Sequence, residues 1–570
     1  MNFLALLGMA IALRGWQLGT VPGLNGDEAW LGVQAAHLAA GEPIAWRTPT
    51  GNPVNLCLLL PVAALHLVFG PSVAVLRMMA LVSGVAALGA NFWLCRRIFD
   101  RRSALVSTTV LAVLPIAIAY SRFAWDASQT LLATVLVLYF ALSNVDREVG
   151  RGAGKLGKNK NRLPANPVPP DWLPALVAFG IAIWIHPTNI FALWLLIVPA
   201  AYRSGDDCRA AIRGAWQRSG GLAGEGLLHR LTRGITLATL GIALVAVAWF
   251  CRRLLMAAAL RSVNPEQAGL FMRRLVQLLS GTTVFEFIPG PARTSTGLAM
   301  IDVALVSLVG VAALGLTRRL RRADSARERC LAWSVALMVG TFYLVAGPEA
   351  LAPHFERYGM CLVAPIGVLL ALGWSHWLGS RGFDQASLVP HNDGSRRTLR
   401  ARLAAVVLAV AAWLWLAVFC CDYFLVFRTS GGTSHMAFRT AAIEPKLAAL
   451  KTIVAAERDA DSSAANEATK QIWIVADSWW SYWPLAYFAA GRPEIHVVAE
   501  EQWPAASQQV AGGDAVWRVN FVTADAAQLP AAPDVGKDRG ASAIRDYSGA
   551  PLLTVERLRA PVVRPAATGD

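Results

Sequence analysis

The chain has 570 residues, of which 55% are hydrophobic and 16% charged, and its formal net charge is +15 at pH 7. A soluble chain of this length needs a polar surface, so this composition excludes an ordinary soluble protein and indicates a lipid bilayer. The positive charge alone would also suit a nucleic-acid-binding protein. Membrane proteins, however, concentrate Lys and Arg in their cytoplasmic loops, so the position of the charge decides between the two classes.

Apolar runs long enough to cross a bilayer recur along the chain and predict about eleven transmembrane helices. They lie near residues 1–18, 78–95, 104–121, 127–145, 172–187, 188–202, 234–251, 297–316, 330–347, 358–378 and 403–421. The connections after alternate spans are basic, and by the positive-inside rule they face the cytoplasm. The first run lacks a small-residue cleavage site and is interpreted as a retained span. This pattern predicts a cytoplasmic N-terminus and an outer C-terminal tail, and it argues against nucleic acid as a partner.

Two further segments fit this topology without adding a span. The apolar run Val54 to Phe69 would reverse every later loop if it crossed the membrane, so we predict that it lies at the outer interface or dips partway in. The stretch 150–170 is rich in Gly, Lys and Pro, which is typical of a flexible linker. On the cytoplasmic side, its charge predicts contact with anionic lipid headgroups.

The tail changes in composition and predicts a second domain, which divides the chain into a transmembrane domain, 1–421, and an outer domain, 422–570. The pattern predicts helices near 440–458 and 481–490 and four strands, which together make a small α/β domain. The strands are predicted at Gln471 to Ala476, Glu494 to Val498, Ala515 to Val522 and Leu552 to Glu556. The aromatic cluster Trp479, Trp480, Tyr482 and Trp483 suits either sugar stacking or a structural role, of which we favour the structural one.

The first predicted outer loop carries two adjacent acidic residues. Asp27 and Glu28 follow Asn25-Gly26 and precede a helical pattern. Acidic residues at a helix N-terminus complement the helix dipole by about 0.3–1 kcal/mol, which would account for one of them. The functional interpretation is a carboxylate just outside the bilayer that acts as general base toward an acceptor hydroxyl or amine.

The second predicted outer loop, Tyr120 to Asp126, places another carboxylate at the same depth. Arg122 lies four residues before Asp126, so a simple helical ion pair is the structural alternative. Arg77 opens the second span, where it can extend to the interface or pair with a phosphate. Ionisable residues at the membrane boundary are costly and usually mark a substrate path.

Two later positions complete the polar set on the outer side. His354, Glu356, Arg357 and Tyr358 form a compact cluster before the tenth span, and His186 lies at the outer end of the fifth. A histidine before a proline also makes a good local helix cap, so His186 has both interpretations. Carboxylates combined with several arginines suit a reaction in which cations hold a phosphate-linked donor while an acceptor is deprotonated.

These motifs resemble the GT-C membrane glycosyltransferases, in particular the family of protein O-mannosyltransferases and of the aminoarabinose transferases that act on lipid A. The resemblance covers about the first 145 residues and reappears near 354–373. Each motif is short, but their order and predicted membrane sides agree with the family. They are GDEAW at 26–30, Leu76-Arg77, RRIFD at 96–100, Ser121-Arg122 with Asp126, and Arg357-Tyr358 followed by Pro365.

The resemblance implies a GT-C fold and a bacterial inner-membrane enzyme of the cell envelope, with its C-terminal domain in the periplasm. The implied reaction moves a sugar, with inversion, from a polyprenyl-phosphate donor to a lipid, protein or glycan acceptor, as in lipid A or protein glycosylation. Some members of the fold hold a divalent metal, Mg or Mn, between the two acidic loops. The nearer relatives are considered not to need one, so the prediction contains no metal ligand and no certain cofactor.

The resemblance also implies roles for individual residues. The first-loop acid that acts as base corresponds to Asp27, with Glu28 positioning the acceptor, and the second-loop acid corresponds to Asp126. The residues implied to hold the lipid phosphate or line its pocket are Arg77, Arg122, Arg357 and Tyr358. The charged residues of the two predicted outer loops and the cluster at 354–358, which includes His354, are predicted to lie on one side of the membrane at one substrate site, which His186 can join.

Two other functions remain open at this point. A transporter or flippase of polyprenyl-linked sugars would want the same apolar spans and phosphate-binding arginines, but it would not need an outer-face base. A scaffold or sugar-binding protein would use the spans only to anchor the tail, and the charges before residue 130 would then be dispensable.

Overall fold

A computed structural model of the chain describes residues 3–145, 172–202, 252, 265–285, 295–321, 326–353, 355–378, 394–426, 443–461, 470–522 and 542–558. Three predicted features lie outside these residues: the linker 150–170, the span 234–251 and His354.

The membrane portion is helical. Its first helices are α1 (Phe3–Gly15), α2 (Gly26–Ala40), α3 (Leu56–Phe69), α4 (Val73–Ile98), α5 (Arg101–Val113), α6 (Pro115–Tyr120), α7 (Ala127–Ser143) and α8 (Leu173–Ile185), followed by a 3-10 segment (Pro187–Leu193). The later ones are α9 (Pro265–Ser280), α10 (Thr282–Phe285), α11 (Ser295–Leu320), α12 (Ala326–Ala346), two 3-10 turns (Pro348–Leu351 and Glu356–Gly359), α13 (Met360–Trp377) and α14 (Gly394–Cys420) with a π-helical end (Cys421–Val426).

Within the part of the chain that the structure describes, five helices are long and apolar enough to cross a membrane. They cover Val73–Ile98, Ala299–Leu320, Ala326–Ala346, Glu356–Trp377 and Arg402–Leu425. The other apolar helices at predicted spans are shorter. The chain is a multi-pass membrane protein, and its helices lie at the apolar runs because a backbone in lipid must satisfy its polar groups internally.

The third predicted span, 104–121, is not one continuous helix but is broken between α5 and α6. Pro115 has no N–H, so the carbonyl of Leu111, four residues earlier, loses its helical partner. The buried side chain of Arg14 replaces that donor: it donates to the carbonyls of Leu111 (3.2 Å) and Ala112 (3.1 Å). This break turns the chain toward the second outer loop.

Helix α3 has the dimensions of an interfacial helix. Its 14 residues span about 21 Å, less than the roughly 30 Å of a bilayer core. Leu58, Leu59 and Val62 are buried against the neighbouring helices, while Leu67 and Phe69 are 69% and 63% exposed. An apolar helix buried on one side only can face lipid with the other.

The tail contains α15 (Ile443–Asp461), β1 (Ile472–Ala476), α16 (Trp479–Ala489), β2 (Ile495–Ala499), β3 (Ala515–Phe521), β4 (Ser542–Arg545) and β5 (Pro551–Leu558), with a short helix α17 (Trp503–Ala506). The strands form one sheet in the order β2-β1-β3-β5-β4. Strand β1 is parallel to β2 and β3, and β5 is antiparallel to β3 and β4. The four strands and two helices expected from the sequence lie where they are predicted, and β4 is an addition.

The tail packs directly on the first outer loop. The buried Lys446 of α15 donates to the backbone carbonyl of Leu24 (2.9 Å). On α16, the hydroxyl of Tyr487 lies 3.2 Å from Nε2 of His66 on α3. The first outer loop is therefore enclosed between the membrane helices and the tail.

Candidate active site

Asp27 is a partly exposed residue within a segment that is otherwise buried. Asn25 caps helix α2, and its side chain accepts a hydrogen bond from the backbone N–H of Asp27 (2.7 Å). From residue 21 to residue 35, every residue except Asp27 is buried. Helix capping thus accounts for the start of α2 through Asn25, and Asp27 remains partly exposed.

A tryptophan from the tail contacts this carboxylate. The indole Nε1 of Trp479, the first residue of α16, donates to Oδ1 of Asp27 (3.1 Å). Sequence reasoning treated Trp479 as part of a structural aromatic cluster and missed this contact. No local signal pointed to it, since the two residues lie 452 positions apart.

Glu28 forms a buried ion pair with Arg77. Nε of Arg77 donates to Oε1 of Glu28 (2.8 Å) and Nη2 donates to Oε2 (2.7 Å), and both side chains are almost fully buried. Oε1 also accepts from the backbone N–H of Ala124 in the second outer loop (2.8 Å). Glu28 therefore ties the two acidic loops together, and its contacts argue against the predicted role of positioning an acceptor.

The contacts of Arg77 argue against its predicted role in binding phosphate. Besides Glu28, the guanidinium donates to the backbone carbonyls of Leu18, Pro22 and Gly23 at 2.8–3.1 Å. A guanidinium has five N–H donors, and the five bonds to these four residues use all of them. Arg77 thus holds the first outer loop in place.

Arg122 has a similar role rather than pairing with Asp126 or a phosphate. Its two terminal nitrogens donate to the carbonyls of Leu13, Arg14, Gln17 and Val21 at 2.7–3.2 Å. The side chain is fully buried. These contacts make Arg122 a structural residue of this region, and its implied role in binding phosphate stays a prediction.

Asp126 shares an electrostatic environment with Asp27. The pKa of Asp126 is raised to about 6, first of all by burial; a hydrogen bond with Asn55 and the charge of Arg357 lower it, and the nearby charge of Asp27 raises it. Burial also raises the pKa of Asp27, against the hydrogen bond from Trp479 and the charge of Arg357. The structure therefore brings two predicted carboxylates and one predicted arginine into a single cluster.

Arg357 is the member of the predicted arginine set that is partly exposed. Its guanidinium carbon lies 4.7 Å from the ring centroid of Trp125 and 4.8 Å from that of Tyr358. Nη2 also donates to the hydroxyl of Tyr358 (3.3 Å). Aromatic faces stabilise a cation. Arg357 is thus a partly exposed cation beside the two carboxylates.

His186 and Tyr358 are close together, as the sequence predicts. Their ring centroids lie 5.6 Å apart. His186 also caps the 3-10 segment that follows it: its Nδ1 lies 2.7 Å from the hydroxyl of Thr188 and accepts from the backbone N–H of that residue. Glu356 is buried and accepts from the hydroxyl of Tyr120 (2.7 Å), so it supports the turn that carries Arg357.

The sequence predicts no metal ligand around Asp27 and Asp126, and this stays a prediction. Among the described residues, no three His, Cys, Asp or Glu side chains group so that they could hold a metal ion. Around the two carboxylates lie an indole N–H, an amide and a guanidinium cation. A nearby arginine cation is unfavourable for a second cation.

Comparison with known proteins gives similarities among solved structures. No protein-family model matches the chain, and no curated protein matches it. The chain is similar to ArnT from Cupriavidus metallidurans bound to undecaprenyl phosphate, with 15% identity and a TM-score of 0.46 over 99% of this chain and 98% of that one.

The chain is also similar to an archaeal oligosaccharyltransferase, AglB from Archaeoglobus fulgidus, in complex with an inhibitory peptide and a dolichol-phosphate. The identity is 14% and the TM-score is 0.44, over 91% of this chain and 69% of that one.

Proposed function

We propose that this chain is an inverting glycosyltransferase that moves a sugar from a polyprenyl-phosphate donor to an acceptor at the outer membrane face, with Asp27 as general base. The observation that carries the proposal is the partly exposed Asp27 in an otherwise buried segment, beside Asp126 and Arg357. This reaction needs a base for the acceptor, a cation for the donor phosphate and apolar helices for the lipid chain of the donor.

In the proposed step, ionised Asp27 takes the proton from an acceptor hydroxyl or amine. The acceptor atom attacks the anomeric carbon of the sugar from the face opposite the phosphate. As the new glycosidic bond forms, the bond to the phosphate oxygen breaks and its electron pair leaves with the lipid phosphate. Attack from the opposite face inverts the configuration at that carbon.

Arg357 is proposed to stabilise the leaving phosphate. A charge-assisted hydrogen bond from a guanidinium is about twice as strong as a neutral one, and low exposure strengthens it further. Trp125 and Tyr358 hold the guanidinium through its face. Tyr358 and His186 would line the same pocket.

Asp126 is proposed to keep Asp27 basic. Two carboxylates in one site disfavour each other's ionisation, so the negative charge of Asp126 increases the proton affinity of Asp27. A base works best when its pKa approaches the working pH.

The proposed setting is the cytoplasmic membrane of a bacterium. The basic loops support a cytoplasmic N-terminus, with Asp27 and the tail in the periplasm. The acceptor would be a lipid, a protein or a glycan of the cell envelope.

The test is sugar transfer by purified protein in lipid vesicles, with a radiolabelled sugar on undecaprenyl phosphate and a periplasmic membrane extract as acceptor source. Asp27→Asn keeps the shape of the side chain and an oxygen that can accept from Trp479, but it removes the base. We expect it to lower the transfer rate by about 10²–10⁴-fold while donor binding stays within twofold of the unmutated protein.

The matched control is Glu42→Gln, which removes a carboxylate of the same predicted outer loop whose side chain is 58% exposed and lies beside His37. It should leave transfer unchanged. Full transfer by Asp27→Asn would disprove the base assignment. Movement of the labelled donor across the bilayer without any transfer by the unmutated protein would favour a flippase instead.

A further inference from the structure

Trp479 is the point at which the C-terminal domain reaches the candidate active site. Its indole N–H lies 3.1 Å from Oδ1 of Asp27, and the other contacts of the tail with this loop are structural. The indole packs edge-on against Trp483 one turn later, with centroids 5.4 Å apart. Trp483 in turn packs edge-on against Trp30 of α2 (6.5 Å).

The position of the indole is fixed from the side of the tail. The backbone N–H of Ser478 donates to Oγ of Ser481 (3.2 Å), and Ser481 donates to Oδ1 of Asp477 (2.7 Å). The other oxygen of Asp477 accepts from the backbone N–H of Phe521 on strand β3 (2.9 Å). These bonds fix the start of helix α16 to the sheet, so the indole is held by a folded domain and not by a loose loop.

The first outer loop is shaped to receive this indole. A Cβ atom on Gly26 would lie 2.5 Å from Cδ1 and 2.7 Å from Nε1 of the Trp479 ring, and 3.0 Å from its carbonyl oxygen. Real Cβ atoms do not approach other atoms this closely, so only glycine lets the ring reach the next residue, Asp27. The Gly-Asp pair of the first outer loop thus fits the indole in shape as well as in hydrogen bonding.

We propose that Trp479 is a positioning residue for the general base, and that the C-terminal domain completes the active site by supplying it. The inference rests on the proposed function of Asp27. The indole N–H orients the carboxylate and favours its ionised form, the form that accepts a proton.

The groups that face Asp27 come from three elements. Trp479 comes from α16, Asp126 from the residue that precedes α7, and Arg357 from the 3-10 turn before α13. Trp479 and Arg357 favour the ionised form, whereas burial disfavours it. Removing the indole N–H leaves one of the two favourable influences, so the carboxyl should hold its proton to a higher pH.

The test is the pH dependence of the transfer rate for Trp479→Phe, which keeps an aromatic ring but has no N–H. We expect the acid limb of the profile to move to higher pH by about one unit, since a hydrogen bond to a charged group is equivalent to roughly one to two pH units and Asp27 is partly exposed. On the acid side this is a roughly tenfold lower rate.

The matched control is Trp483→Phe on the same helix. The Nε1 of Trp483 is buried and has no hydrogen-bond partner among the described residues, so this change removes an N–H that contacts no carboxylate. Its pH profile should coincide with that of the unmutated protein. If Trp479→Phe yields no folded protein, 3-benzothienylalanine at position 479 keeps the ring shape with sulfur in place of the N–H, and it should give the same shift.

An unshifted acid limb in Trp479→Phe or in the isostere would overturn the inference, as would an equal shift in Trp483→Phe. These results are distinct from failure of the proposed function. If Asp27→Asn abolishes transfer while the loss of the indole N–H has no effect on the profile, only the positioning role fails. If Asp27→Asn retains full transfer, both fail.

Discussion

The buried pair of Glu28 and Arg77 offers the sharpest separation between a structural residue and a substrate-binding one. Removing one partner of a buried ion pair leaves an uncompensated charge and costs about 3–5 kcal/mol. Arg77→Met also leaves the carbonyls of Leu18, Pro22 and Gly23 without their donor. We therefore expect each of Glu28→Gln and Arg77→Met to lower the free energy of unfolding by about 3–5 kcal/mol.

The double variant should be less harmful than the sum of the single ones, because it leaves no unpaired charge. Contacting residues commonly show interaction energies of about 0.5–3 kcal/mol, and a bidentate buried pair belongs near the upper end. The assay is equilibrium unfolding in mixed micelles, with the four proteins compared in one double-mutant cycle. Donor binding is measured on the folded fraction with labelled undecaprenyl phosphate.

Arg357→Met is the comparison variant, since this arginine is partly exposed and lies in the carboxylate cluster. It should weaken donor binding with less than about 1 kcal/mol of lost stability, as is usual for a partly exposed charge. The reasoning is refuted if Arg77→Met unfolds like the unmutated protein and yet loses donor binding, because Arg77 would then hold the phosphate.

Two further predictions concern the carboxylate cluster. Asp126→Asn removes a negative charge that opposes the ionisation of Asp27. The acid limb of the pH–rate profile for transfer should therefore move to lower pH, by up to about one unit. A shift of the acid limb to higher pH would contradict this prediction. Arg357→Lys keeps the positive charge but loses the planar guanidinium and its stacking on aromatic rings. We therefore expect roughly a tenfold higher KM for the donor in steady-state kinetics. An unchanged KM would contradict a contact between Arg357 and the donor phosphate.

The amino-acid sequence by itself determined the membrane class, the position of most helices and four of the five strands that the structure describes in the tail. Apolar length fixes where a helix can lie in lipid, and alternation fixes where a strand can lie in a half-buried sheet, so both signals are local. The prominence of Asp27 was also local, because Asn25-Gly26 before a helical pattern marks a helix start at a predicted outer face. Its role as base stays a prediction.

Only the tertiary structure decided what the charged residues contact. Arg77, Arg122 and Arg357 look equivalent in sequence, yet the first two donate to backbone carbonyls between residues 13 and 23, and Arg357 remains partly exposed. Pro115 in the sequence indicates a helix break at this point. The sequence does not indicate that the side chain of Arg14 donates to the carbonyl that the break leaves without its helical partner. A buried donor takes whichever acceptor the packing leaves without a partner, and that acceptor can lie anywhere along the chain.

The same reason applies to Asp27. The sequence predicts it at a helix start on the outer side of the membrane, and the packing of the tail decided that the indole of Trp479 would lie on its carboxylate. A contact between residues 452 positions apart has no local sequence signal, because it arises only when distant parts of the chain pack together.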